Sequence, residues 1–491
     1  MDKHVTKNQR LARVEKVINE MGLSKCADTL IGTPGRIKGI SGGEMKRLSF
    51  ASEILTNPAL MFCDEPTSGL DSFMAQNIVQ TLQTMAAKGR TIICTIHQPS
   101  SEVFNMFDQL LILAEGRVAY MGPSSGAIPF FKSQGLTCPS NYNPADFYIH
   151  TLAIVNGKEK ECRTRVEQIC DAYEKSEQAA VINRELEEFV SDHHDLGDAW
   201  VDMSSIRRYK GSWCKQFAAV FWRSWLGNFR DPNLQKIRLL QSIVIGVILG
   251  LVYLRQEYNQ EAIQNLNGAL FLIITNMSFS NMFAVINSFP MELPIFMREH
   301  GSRLYRVDVY FISKTIAELP NFIVFPAVFC AVIYWMIGFY EAVEQFFIFM
   351  AIMIFVANIA VSVGYVISCM TGSLNIALAI APPLLIPLML FGGFYVNTGT
   401  VPVYFVWLEY LSWFKYSNEI VTINQWKDVT DLACPNNTLG QRPCFTNGQE
   451  VLDSLNFSND NITLDLGLMA ALLVGYRVLA FLLLLLRSRK L

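Results

Sequence analysis

The sequence predicts an α/β domain followed by an all-α membrane domain, and three observations carry that reading. The 491 residues are 51% hydrophobic and only 17% charged, against about 25% charged for soluble domains. The charges are unevenly placed. The first 235 residues carry them throughout, whereas 239–254, 262–291, 319–340 and the 64 residues between Glu344 and Glu409 hold no Asp, Glu, Lys or Arg. Within the charged part, two short apolar runs at 59–63 and 91–96 end in polar residues, as buried parallel strands do. A net charge of −3 without a basic stripe argues against a nucleic-acid partner.

About 20 mostly apolar residues cross a bilayer. Six stretches qualify: 237–254, 268–289, 311–338, 346–369, 374–396 and 465–486. Lys215, Arg223, Arg230, Lys236 and Arg238 precede the first, Arg298, Arg303 and Arg306 follow the second, and Arg487, Arg489 and Lys490 follow the sixth. Basic residues mark the cytosolic side, so both termini are expected there and segment 397–464 on the lumenal or extracellular side. That segment holds glycosylation sequons at Asn436, Asn456 and Asn461. It also holds Cys434 and Cys444, expected to pair because only these two of eleven cysteines meet an oxidising compartment. A further sequon at Asn276 lies inside the second span, out of reach. No signal peptide is read at the polar start Met1-Asp2-Lys3-His4, so insertion is expected to rely on the first span.

The strand at 59–63 ends in Asp64-Glu65. A strand-end Asp can hold Mg²⁺, and the next Glu can orient and deprotonate a water. Upstream, Ser41-Gly42-Gly43-Glu44 opens a helix expected at 43–57. Its glycines admit a phosphate close to the backbone at a helix N-terminus. Downstream, Ser68-Gly69-Leu70-Asp71 forms a turn before a helix at 72–88, and the strand at 91–96 ends at His97, placed to bond a γ-phosphate.

These four elements, in this order, resemble the ATP-binding-cassette (ABC) superfamily: signature at 40–44, Walker B at 60–65, D-loop at 68–71, switch histidine at 97. The resemblance implies ATP and Mg²⁺ as cofactors, with Asp64 as metal residue, Glu65 as catalytic base, His97 as phosphate sensor, and Ser41, Gly42, Gly43 and Glu44 serving the partner's ATP. One departure stands out: the sequence has no Gly-x-x-x-x-Gly-Lys-Ser/Thr, and only 40 residues precede Ser41. Helix is expected at about 9–21, so the cassette is expected to lack its first strands and phosphate loop, and the chain's own ATP site to be defective. A non-catalytic subunit is therefore an open alternative.

A cassette placed before six spans resembles the G subfamily of half-transporters, as does Asn143-Pro144-Ala145-Asp146-Phe147 after the cassette. Cys63–Phe73, Asn141–Tyr148, Phe296–Glu299, Ser313–Pro320 and Ile423–Trp426 are similar to the insect eye-pigment members of that subfamily. That similarity implies transport of pigment precursors (tryptophan or kynurenine derivatives, guanine or pteridines) in pigment-granule or other vesicle membranes. It implies a heterodimer with a Scarlet-like or Brown-like half rather than a homodimer. A sterol or lipid exporter of the same subfamily is the alternative.

The expected layout is a partial cassette at 1–150, a charged linker at 151–212, an amphipathic connecting helix at 213–235 lying at the membrane face, and the six-span domain at 236–491. Asn276 and Phe279 in the second span suit a flat aromatic ligand by hydrogen bonding and stacking, with helix–helix contact as the alternative use. Met389, Phe394 and Tyr395 occupy the positions where the subfamily lines and closes its central slit. Arg477 and Glu318 are charges inside spans, expected to act structurally within the bundle.

Overall fold

The computed structural model describes residues 6–32, 38–192, 209, 211–230, 232–396, 403–432 and 444–489. The chain divides into two compact units, Met1–Arg207 and Arg208–Leu491.

The first unit begins with α1 (Lys7–Glu20) and α2 (Gly42–Ile54), each opened by a capping box, Thr6 with Gln9 and Ser41 with Glu44. β1 (Leu60–Asp64), α3 (Ser72–Ala86) and β2 (Thr91–Thr95) form a β-α-β unit whose strands pair in parallel, with Asp64 opposite Thr95. Asp71 caps α3 through a hydrogen bond to its side chain from the Met74 amide at 2.8 Å. The apolar stripe Ile78, Leu82 and Met85 of α3 packs in one core with Met61 and Cys63. β1 is buried on one face only: Leu60 and Phe62 are exposed. That corrects the expectation of a strand buried on both sides.

After the short α4 (Ser101–Phe104), β3 (Gln109–Ala114) and β4 (Arg117–Pro123) make an antiparallel hairpin. Glu115 and Gly116 turn it with φ of 48° and 78°, the left-handed pair that a two-residue hairpin turn requires. α5 (Ser124–Ser133) and α6 (Pro144–Leu152) follow. The stretch 151–212, expected as a linker, contains α7 (Glu159–Glu174) and α8 (Glu177–Asp192). Cys162, Val166, Ile169, Cys170 and Tyr173 of α7 are buried. Their spacing marks one helical face, masked in the sequence by the charges between them. Val166, Ile169, Cys170 and Tyr173 share a core with Ala119 and Tyr120 of β4.

In the second unit, α9 (Trp213–Arg230) matches the expected amphipathic helix and α10 (Pro232–Val252) the first span. α11 (Gln260–Gly301) runs 42 residues, far beyond the expected 268–289. The expected third span is two helices, α12 (Val307–Glu318) and α13 (Asn321–Ile337), stepped at Leu319-Pro320. α14 (Val343–Thr371) is continuous, and α15 (Leu374–Leu390) stops six residues before the expected end at 396. Pro382, Pro383 and Pro387 in α15, and Gly393 at φ 80°, account for the early stop. Segment 397–464 is not loop throughout: it includes α16 (Val406–Leu411), α17 (Trp413–Trp426) and α18 (Gly448–Ser454). Every residue of α17 but Lys415 is buried. α19 (Ile462–Ser488) ends the chain's helices.

Among the described residues five helices are long and apolar enough to cross a membrane, and α15, with 17 residues, is a shorter apolar helix. The most apolar windows of α11 and α14 are each 61% buried, against 11% for that of α10. α11 and α14 are therefore the inner helices, and α10 presents its side chains outward.

Ile169 is 2% exposed. Ile169→Ala is expected to cost about 2–5 kcal/mol, read as a lowered thermal midpoint of the purified protein. An unchanged midpoint would return α7 to linker status.

Candidate functional site

Both strand ends of the β1–β2 pair leave their strands the same way. Beyond Asp64, Glu65 has φ 43° and precedes Pro66; beyond His97, Gln98 has φ 48° and precedes Pro99. A left-handed non-glycine residue costs on the order of 1–3 kcal/mol and concentrates at functional sites. Proline further disfavours the helical regions in the residue before it. Glu65, Ser68, Gly69, His97 and Gln98 line one cleft of about 790 Å³. The strand-end glutamate, the turn at 68–71 and the strand-end histidine that the sequence singles out thus meet.

The cleft also takes in Asn143 and Asp146, which sequence reasoning treated only as a family mark. Asn143 accepts from the Ala145 amide at 3.0 Å and donates through Nδ2 to the Pro99 carbonyl at 2.8 Å. It thereby ties the start of α6 to the turn after His97. The signal available in the sequence was an Asn-Pro pair at a helix start, with nothing to indicate its long-range partner.

Asp64 stands at the carboxyl end of β1, with Oδ1 accepting from the Thr95 hydroxyl at 2.6 Å. Oδ2 takes no hydrogen bond among the described residues, which suits a magnesium ion held by one carboxylate oxygen plus water and phosphate. No cluster of three or more metal-binding side chains exists among the described residues. Burial pushes the neighbouring Cys63 thiol up to about 11, with Cys94 adding to the effect. Cys63 is a packing residue, not a nucleophile.

At the signature, Ser41 Oγ donates to Glu44 Oε2 at 2.8 Å, and the Ser41 amide donates to the same oxygen at 2.8 Å. These bonds, the backbone one first, hold the Glu44 carboxyl below its usual range. Gly43 is buried, and a Cβ there would lie 2.0 Å from Met74 Cε, so any side chain there would require the Met74 side chain of α3 to shift. Gly42 remains exposed at the helix start.

In the second unit, the expected passage residues fall in two groups. Phe394 stacks on Phe271 of α11 at 4.9 Å, and Tyr395 meets the same ring edge-on at 5.4 Å. Phe271 is the residue that sequence reasoning missed; nothing distinguishes it from other phenylalanines of an apolar helix. Asn276 accepts from Ser280 at 3.4 Å, and Phe279 lies against Phe283 at 6.2 Å. Phe279 stands about 12 Å along the helix from Phe271 and makes no ring contact with Phe394 or Tyr395. Met389 is half-buried beside the main core.

Glu318 and Arg477 are joined through Tyr365, which donates to Glu318 while the Arg477 guanidinium lies 5.3 Å from its ring. Lys314, only 5% exposed, bridges Glu292 at 2.5 Å and Glu318 at 2.8 Å. The expected structural role of these charges fits this network. Near the far end of α19, Asn461 donates through Nδ2 to the buried Glu419 at 2.9 Å, which engages the atom that a glycan would use. Cys444 is disulfide-bonded. Its expected partner Cys434, and Asn436, lie outside the described residues; Asn456 is exposed.

Acidic and histidine side chains at parallel strand ends in one unit, and long apolar helices in the other, are the features of a membrane transporter driven by ATP. Family models described as ABC transporter and ABC-2 type transporter match residues 1–68 and 215–426, and a second ABC-2 type model matches 97–173. Protein white of Ceratitis capitata is 49% identical over 492 residues, covering 100% of this chain and 71% of that protein. Protein white of Drosophila melanogaster is 50% identical, covering 100% and 70%. Protein scarlet of Drosophila melanogaster is 36% identical, covering 100% and 74%. The chain belongs to the G-subfamily half-transporters of the ABC transporter family, in the group of the white proteins.

Lys314→Met would leave the buried Glu318 carboxylate and the half-exposed Glu292 without their cation, and removing the partner of a buried charge costs about 3–5 kcal/mol. The yield of folded, monodisperse protein in detergent is expected to fall sharply; wild-type yield would show that the network is dispensable.

Proposed function

We propose that this chain is one half of a heterodimeric pump for flat heteroaromatic pigment precursors, partnered by a Scarlet-like or Brown-like half in a pigment-granule membrane. The observation that carries this reading is identity of about half across the whole chain to the white proteins. The aromatic platform of Phe271, Phe394 and Tyr395 supports it, because stacked rings favour planar ligands.

With a phosphate-binding loop completing this site, which the 491 residues do not contain, Glu65 would orient and deprotonate the attacking water and Asp64 would hold the magnesium that accompanies ATP. His97 donates to the γ-phosphate from the end of β2. The backbone amides at Gly42 and Gly43, at the start of α2, face the nucleotide held on the partner's Walker motifs. The Asn461 amide is committed to Glu419, so no glycan is proposed there; the sequons at Asn436 and Asn456 remain proposed glycan sites on their sequence pattern. Cys434 is proposed as the partner of Cys444 in a lumenal disulfide. Both termini are proposed to be cytosolic.

Vesicles holding this chain with a Scarlet-like half are expected to accumulate labelled kynurenine or guanine with ATP, and to lose that uptake with Glu65→Gln. Uptake of labelled sterol in place of both would contradict the reading. Phe279→Ala is expected to lower uptake several-fold at unchanged membrane abundance, measured by filtration of matched vesicles; normal uptake removes Phe279 from the passage. Asn461→Gln is expected to leave the glycan increment on a denaturing gel unchanged. Any loss of the mass that glycosidase treatment removes from wild type would contradict the assignment.

A further inference from the structure

We propose that Thr95 is a positioning residue of the hydrolysis site, fixing Asp64 and Glu65 through one hydroxyl. The inference rests on the reading of Asp64 as metal residue and Glu65 as base, and its turnover readout is taken with a phosphate-binding loop completing the site; the exchange readout needs no nucleotide. Thr95 Oγ1 donates to Asp64 Oδ1 at 2.6 Å and accepts from the Glu65 backbone N–H at 3.0 Å. A threonine hydroxyl has a single hydrogen. Donating it to the carboxylate leaves the oxygen free to receive the amide, so the two bonds are mutually consistent.

The consequences differ for the two residues. On Asp64, the bond occupies one carboxylate oxygen and sets the plane of the group, leaving Oδ2 to face the metal. On Glu65, it anchors the amide of a residue at φ 43° before a proline, a conformation that local preferences oppose. The left-handed turn aims the backbone off the strand axis at the position where the base must meet its water. Thr95 is also the residue that pairs with Asp64 in the parallel register, two positions before His97. The same side chain thereby links the Walker B strand to the strand that carries the phosphate sensor.

Partners of this kind, one step removed from the metal, typically change activity or metal affinity by about 10–100-fold when removed. Thr95→Val keeps the shape and removes the hydroxyl; Thr95→Ser keeps the hydroxyl. Two readouts are taken on the full chain assembled with its partner half. The first is ATP turnover with KM and the magnesium requirement; the second is amide hydrogen exchange across 60–70 without nucleotide.

Thr95→Val is expected to lower kcat about 10–100-fold with little change in KM, to raise the magnesium needed for half-maximal rate, and to speed exchange at Glu65. Exchange within α3 should stay unchanged. Thr95→Ser is expected to restore both readouts to near wild type. Wild-type turnover or wild-type exchange in Thr95→Val overturns the proposal, as does a Thr95→Ser protein as impaired as the valine variant. If Thr95→Val fails to fold while Thr95→Ser matches wild type in thermal midpoint, accelerated exchange at Glu65 in Thr95→Ser would overturn it, and wild-type exchange and turnover there would sustain it. Full turnover in Asp64→Asn would instead defeat the underlying reading of the site, separately from Thr95.

Discussion

The parallel register of β1 and β2 is the constraint on which the proposed hydrolysis site depends. It sets Asp64 opposite Thr95, and both strands then leave the sheet through a left-handed residue before a proline. Parallel strands need a crossover, and here it is α3, whose Asp71 cap places the D-loop at the same edge. Ligands of α/β sheets bind beyond the carboxyl ends of strands, which is where Glu65, His97 and the D-loop line one cleft. A slip of one residue would turn Asp64 to the other face and separate it from Thr95.

In the membrane unit the corresponding constraint is burial without water. α11 and α14 are the inner helices, and several polar groups there and on the helices packed against them are paired. Trp413 donates to Ser278 at 3.0 Å, Asn358 donates to the Ile354 carbonyl at 2.9 Å, and Lys314 stands between two carboxylates. α9 is held to α12 by the bond from Trp213 to Asp308 at 3.1 Å and from Asn228 to the Ala317 carbonyl at 2.9 Å. These bonds tie the connecting helix to the first half of the third span.

Much of this was legible in the residues, for reasons that differ by region. The caps at Ser41 and Asp71 are local chemistry, so α2 and α3 were placed within three residues at each end. Charge-free runs located the membrane helices because water-free burial excludes charge over a bilayer's thickness. The length of α11 was hidden, since its last turns carry Glu292, Arg298 and Glu299 beyond the apolar stretch. α7 was hidden because five buried residues sit among charges at helical spacing. α17 was hidden because Asn418, Glu419, Asn424 and Gln425 look like loop residues, whereas each is buried and makes hydrogen bonds. Long-range partners such as Asn143 with Pro99, or Phe271 with Phe394, leave no local trace.

The central claim is that ATP is hydrolysed at the strand ends of the first unit to move solute through the second. A cryo-electron microscopy map of the assembled half-transporters trapped with ATP, magnesium and vanadate tests it most directly. The account predicts metal density at Asp64, the vanadate between Glu65 and His97, and α2 of this chain at the nucleotide of the other half. Trapped nucleotide found only away from Asp64, Glu65 and α2 would contradict it.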